Sequence, residues 1–131
     1  MKQRGSWNWV KTEIVVAVHD ITIATHGGAE GILNLGAVEA ALARPKHLCS
    51  YTNPDMADLA ASYGYGLARS HGFADGNKRV SWIVTRLFIA DNGGILEYQD
   101  KTAVFLMVDV AGGTITEPQF SEWIRTHLKT A

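Results

Sequence analysis

The chain has a single cysteine, Cys49, three prolines and a formal net charge of only −1. One thiol forms no internal bridge, so a disulfide scaffold is excluded. A near-neutral total supplies no basic field for wrapping nucleic acid and no acidic tail. The longest apolar run is Ala103 to Val108, far short of the roughly 20 residues a membrane helix needs. Before Thr12 and Glu13 there is no apolar stretch of the signal-peptide kind. Repeats and low-complexity tracts are also missing. These absences predict a cytoplasmic chain with no direct nucleic-acid contact and no membrane partner. What remains is 131 residues, 47% of them hydrophobic, enough for one domain with one core, taken as residues 1–131.

Glycines divide the chain into short periodic segments. Thr12 is read as an N-cap, followed by Ile14, Val15, Val18, Ile21 and Thr22 at helical spacing up to Gly27-Gly28. The β-branched run Ile14 to Val18 also suits a strand, but the spacing continues past His19-Asp20 and favours helix. Residues 27–36 hold four glycines and read as a loop or small extended flap. Gly36 to Arg44 reads as a short helix stopped by Pro45. Residues 46–52 carry no clear signal.

Asn53-Pro54 reads as the next helix start, with Asp55 and Asp58 near its positive end. Met56, Leu59, Ala60, Tyr63 and Leu67 form its apolar stripe, and Gly64 and Gly66 allow close approach. After a break at 71–76, the sequence from Asn77 is helical again. Its predicted buried face is Val80, Ile83, Val84, Leu87 and Phe88, ending at Gly93-Gly94. Asp100 is read as the cap of a helix to about Ala111. Thr116 and Gln119 make a capping box for the last helix, with Phe120, Trp123, Ile124 and Leu128 as its stripe. The sum is an all-α bundle of about six helices.

The densest polar cluster lies at 69–79, Arg69-Ser70-His71-Gly72-Phe73-Ala74-Asp75-Gly76-Asn77-Lys78-Arg79. Histidine is the side chain suited to general-base work near neutral pH, which marks His71. Asp75 is a hard oxygen ligand suited to Mg²⁺. Gly76 and Asn77 open a helix, where free N–H groups can cradle an anion. Lys78 offers a point charge there, and Arg79 a paired-donor clamp. Arg69 approaches from the preceding helix, and Phe73 is expected to turn inward and pin the loop. Taken singly, each has an ordinary reading as a surface histidine, a turn or solvated charges. Their order together points to phosphoryl or nucleotidyl transfer. No Walker A loop and no GxGxxG is present. His19, His26, His47 and His127 match no compact zinc spacing. His19 is read as a partly buried polar residue. Tyr63 and Tyr65 read as core or rim residues, with the border of a nucleotide pocket as the alternative, and Trp7 and Trp9 read as cover for an apolar surface or a partner groove.

His71 to Arg79 resembles the core motif of the Fic/Doc family, in the HxFx(D/E)(A/G)NKR form of its Doc branch. The Val18-His19-Asp20 segment, the His26-Gly27-Gly28 turn, Gly36 to Leu42 and the Phe120 to Ile124 helix fit the same pattern, so the resemblance covers about 9–128. The resemblance implies a Fic/Doc-like helical bundle with a flap. Fic proteins transfer AMP from ATP to a target hydroxyl. They carry glycine where Lys78 stands and an arginine where Trp82 stands. Both departures match the Doc branch, toxins of type II toxin–antitoxin pairs.

The resemblance therefore implies a protein kinase moving the γ-phosphate of ATP to a threonine of translation elongation factor Tu, which arrests translation. Its alternatives are AMP transfer and a catalytically silent interaction protein. By resemblance His71, Asp75, Lys78 and Arg79 are catalytic. Arg69, Gly76, Asn77, Lys78 and Arg79 hold the nucleotide phosphates, and Asp75 holds Mg²⁺. The 27–34 loop is the flap that docks the target. Self-restrained Fic enzymes carry an (S/T)xxxE(G/N) helix. Here Thr25 stands five residues before Glu30, so the spacing fails. Restraint by a separate small Phd-like antitoxin follows, its C-terminal segment covering the site.

Overall fold

The stripe Met56, Leu59, Ala60, Tyr63 and Leu67 is buried completely, and the rest of the fold is arranged around it. The computed structural model describes residues 6–130. The outer bounds of a 1–131 domain, and part of the reading of the N-terminus, fall on residues 1–5 and Ala131, outside the described residues. Within them lie α1 (Thr12–His26), α2 (Leu35–Tyr51), α3 (Met56–Ser70), α4 (Asn77–Asp91), β1 (Gly94–Leu96), α5 (Asp100–Gly112), α6 (Glu117–His127) and β2 (Leu128–Thr130). The fold is a bundle of six helices. Helix α3 is its axis and packs on α2, α4, α5 and α6, while α1 lies across α4 and α2.

Local chemistry moves several of the expected boundaries. Helix α3 begins at Met56, not at Asn53-Pro54, because Asp55 and Asp58 form a reciprocal capping box. The Asp55 carboxylate accepts the Asp58 N–H at 2.9 Å, and the Asp58 carboxylate accepts the Asp55 N–H at 3.1 Å. Arg125 of α6 then clamps Asp55 and Asp58, each at 2.9 Å. Thr12 and Asp100 are first helical residues, preceded by Lys11 and Gln99 as caps without side-chain bonds. The Thr116 and Gln119 box caps α6 as expected. Pro45 does not end α2, which runs on to Tyr51. Its missing N–H removes one helical bond, but its ring is buried on the same face as Val38, Ala41 and Leu42, and that packing carries the helix through.

Helix α4 is rotated from its expected setting. Ser81, Thr85 and Ile89 are buried with Val80, Val84 and Phe88, while Ile83 and Leu87 are only half-buried. The reason is a close crossing with α3. The Ser81 hydroxyl donates to Gly64 O at 2.6 Å, and the Thr85 hydroxyl to Ser81 O at 2.7 Å. A Cβ at Gly64 would collide with the Thr85 hydroxyl of α4 and stand 2.8 Å from Phe120 Cε2 of α6, so glycine is required where α3 meets both helices. Trp123 and Leu128 are also half-buried, whereas Phe120 and Ile124 are fully enclosed.

The pairing of the two short strands has no local signature, whereas the tryptophans take the first of their two expected settings. β1 and β2 pair antiparallel, Gly94 opposite Thr130 and Leu96 opposite Leu128, which ties the chain end to the segment after α4. Trp7 and Trp9 cover the core, their rings 5.9 and 6.1 Å from Phe88. Tyr63 is core, its hydroxyl accepting the Val10 N–H at 3.0 Å.

Candidate active site in the turn between α3 and α4

The polar cluster forms the turn joining the two helices most deeply set in the core. His71 ends α3 in a left-handed conformation with φ 51°, and among the described residues it is the only non-glycine with positive φ. That conformation costs an L-residue about 1–2 kcal/mol, and the surrounding bonds hold it. Ser70 Oγ donates to Leu67 O at 3.0 Å and accepts the Gly72 N–H at 3.2 Å. Gly72 lies so close to Val38 and Asn34 O that no Cβ fits.

Phe73 turns inward as expected and is 2% exposed. Asn77 locks it at both ends. Asn77 Oδ1 accepts the Phe73 N–H at 3.1 Å, and Asn77 Nδ2 donates to Phe73 O at 3.0 Å. The Asn77 side chain therefore closes the loop. Gly76, with φ 81°, turns the chain into α4. The first bond of that helix runs from Val80 N–H to Gly76 O at 2.9 Å, so the amides of Asn77, Lys78 and Arg79 precede its hydrogen-bond ladder.

With Gly72 and Phe73 inside, His71, Asp75, Lys78 and Arg79 are all exposed. One imidazole, one carboxylate and two cations are thus open to solvent along a loop that ends at a helix N-terminus. Asp75 is oriented from two sides. Its Oδ1 accepts the Gly76 N–H at 2.9 Å, and its Oδ2 accepts the Ala29 N–H at 3.4 Å. No three His, Cys, Asp or Glu come together as a metal cage among the described residues. A Mg²⁺ ion held through phosphates and water needs only one or two carboxylates. The exposed Asp75, with one oxygen only weakly engaged, fits that role.

The flap is physically part of this loop. Leu33 and Asn34 N–H groups both donate to Gly72 O, at 2.8 and 3.0 Å, and Ala74 N–H donates to Gly31 O at 3.0 Å. Ile32 bridges Phe73 in antiparallel sense. Gly28 sits against Asp75, where a Cβ would stand 2.8 Å from Oδ2.

Other expected residues lie elsewhere. Arg69 is directed along the groove between α2 and α3, its guanidinium 5.2 Å from the Tyr65 ring centroid and packed against Gly113. That groove has a volume of about 410 Å³ and is lined also by Ala37, Ala41, Arg44 and Gly66. Arg69 makes no hydrogen bond or ion pair to the loop side chains among the described residues. Trp82 is taken into an aromatic cluster, edge-on to Tyr98 at 5.1 Å and to Trp123 at 6.1 Å. Burial pushes the Cys49 thiol above its ordinary value, and nothing there activates it.

Sequence reasoning missed how His19 is used. It is not partly but fully buried, stacks on Phe73 at 4.0 Å, and bonds Asp75 O at 2.9 Å. The available signal was its helical spacing with Val15, Thr22 and Ile23. A histidine on a buried face requires a polar partner from elsewhere in the chain.

The chain matches the Fic/DOC family over residues 9–89. It is also similar to the protein kinase doc of Escherichia phage P1. The two are 29% identical over 117 residues, which cover 88% of this chain and 92% of that protein.

Proposed function

The chain belongs to the Fic/DOC family, and on that premise we propose that it is a protein kinase toxin of the Doc type. Its reaction moves the γ-phosphate of ATP to a threonine hydroxyl of elongation factor Tu, in the cytoplasm, and halts translation. The observation that carries this reading is the exposed set His71, Asp75, Lys78 and Arg79 around the start of α4. The printed name of the phage relative supports the kinase class.

In this mechanism His71 takes the proton from the target hydroxyl as its oxygen attacks the γ-phosphorus. The bond from that phosphorus to the β–γ bridging oxygen breaks, and ADP leaves. The free amides of Asn77, Lys78 and Arg79 and the two cationic side chains stabilise charge on the transferring group. Asp75 holds Mg²⁺, which when bound neutralises phosphate charge. Lys78, which fills space and adds charge in the anion nest, and Trp82, which stands in the aromatic cluster where the Fic pattern has an arginine, favour γ-phosphate over AMP transfer. The target segment adds along the flap, where Leu33 is 72% exposed. A small Phd-like antitoxin supplies the restraint.

The test uses ATP labelled at either the α- or the γ-phosphate, purified elongation factor Tu and the mass of the product. Added phosphate supports the reading; added AMP or no change overturns it. His71→Ala should abolish transfer while keeping the fold, and full activity in that variant would remove His71 as the base.

A further inference from the structure

We infer that His19 is a positioning residue for the transfer, and that it acts by setting the direction of the Asp75 carboxylate. The inference rests on the kinase reading for its catalytic consequence, but its structural part stands on this loop alone.

His19 is 1% exposed. Burying an imidazole is unfavourable unless its polar atoms are satisfied. An apolar residue would suit a position flanked by Val15 and Ile23 if filling space were all that mattered. His19 Nε2 lies 2.9 Å from the Asp75 carbonyl oxygen, 56 residues away. A carbonyl only accepts, so Nε2 carries the proton. The face of the ring rests on Phe73, with centroids 4.0 Å apart and planes within 12°. One imidazole thus grips the loop at two points, between which only Ala74 lies.

The consequence runs through one planar peptide. In a trans peptide the C=O and the following N–H point in opposite directions. With Asp75 C=O fixed on His19, the Gly76 N–H must point the other way. There it meets Asp75 Oδ1 at 2.9 Å. The carboxylate is therefore pinned by its first oxygen, which turns Oδ2 toward Ala29 N–H and solvent. The floor below is equally fixed. A Cβ at Gly76 would stand 3.8 Å from His19 Cδ2, 3.7 Å from Thr22 Cγ2 and 3.6 Å from Ile23 Cδ1. Without the His19 donor the 75–76 peptide is free to rotate, and the carboxylate and the Gly76 amide rotate with it.

The test compares His19→Phe with His19→Gln. Phenylalanine keeps the ring on Phe73 and removes the donor. Glutamine places an N–H near the Nε2 position. In the free protein, hydrogen exchange at the Gly76 amide should accelerate about tenfold or more in His19→Phe and stay near wild type in His19→Gln. In the transfer assay, His19→Phe should raise the Mg²⁺ concentration for half-maximal rate and lower kcat, by roughly 10–100-fold together. KM for the target protein should be unchanged, and His19→Gln should restore most of the rate. Should His19→Phe fail to fold, His19→Asn takes its place, with the same amide chemistry one methylene too short. Wild-type Gly76 exchange in the donor-less variant overturns the inference. So does a loss that is equal in both variants and tracks their melting temperatures. If the wild type transfers no phosphate, the kinase reading fails, and the Gly76 amide still decides what His19 does.

Discussion

The substitution Gly28→Ala carries two separable penalties. Gly28 has φ 115°, where an L-residue is strained by about 1–3 kcal/mol. Its new Cβ would also stand 2.8 Å from Asp75 Oδ2, 3.1 Å from Asp75 Cγ and 3.2 Å from Ile23 Cδ1. Ile23 is buried, so the carboxylate must give way, which breaks its bond from Ala29 N–H. Gly31→Ala is the matched control, with φ 110° and nothing within 4 Å of its Cβ. Both variants should lose about 1–3 kcal/mol, close to 4 °C in melting temperature per kcal/mol for a chain of this length. On the proposed mechanism Gly28→Ala alone should lose a further 10–100-fold or so in phosphotransfer, through displacement of the Asp75 carboxylate. The assay is transfer of labelled γ-phosphate with a Mg²⁺ titration, run well below both melting temperatures. Equal loss of rate in the two variants would refute the contact between Gly28 and Asp75 as the cause.

Two further outcomes follow from other contacts. Asn77→Ala strands the N–H and C=O of Phe73, so urea unfolding should show a loss of about 1–3 kcal/mol, and transfer should fall even at saturating ATP; a change confined to KM for ATP would instead make Asn77 a direct phosphate ligand. At the far end of α3, burial alone would raise Asp55, but hydrogen bonds from Arg125 and Asp58 and the Arg125 charge outweigh it and hold the carboxyl below its ordinary range. A lowered folded value stabilises above the unfolded value near pH 4 and is lost as pH falls through the folded value. Wild type should therefore lose stability below about pH 4 more steeply than Arg125→Met, by no more than about 1 kcal/mol for so exposed a pair. Parallel pH profiles in urea melts would exclude Arg125 as the cause.

What could be read in the sequence was what neighbours in the chain decide. The Thr116 and Gln119 box, the six helices and the order of His71 to Arg79 are local patterns, and the structure keeps them. Where a distant partner decides, local signals failed. Pro45 is a helix stop by its own chemistry, yet the packed face of α2 outweighs one missing bond. Hydrophobicity predicts one buried face of α4, but the hydrogen bond from Ser81 to Gly64 of α3 turns a polar edge of the helix inward as well. The pairing of Gly94–Leu96 with Leu128–Thr130 joins segments too short to alternate visibly. In the site, the outward side chains were legible from their types. Their supports at His19 and Gly28 were not, because each acts on Asp75 across more than forty residues.

Beside the bond from Ala29 N–H to the Asp75 carboxylate, the strap between flap and loop is built from main chain. Leu33 and Asn34 amides on Gly72 O, and Ala74 amide on Gly31 O, depend on backbone position and not on which side chains are present. Glu30, Ile32 and Leu33, all exposed, can therefore diverge without disturbing the 71–79 loop. On the proposed reading, recognition and chemistry are thus separable in descent: a lineage could exchange the residues that meet a target while inheriting the same loop unchanged.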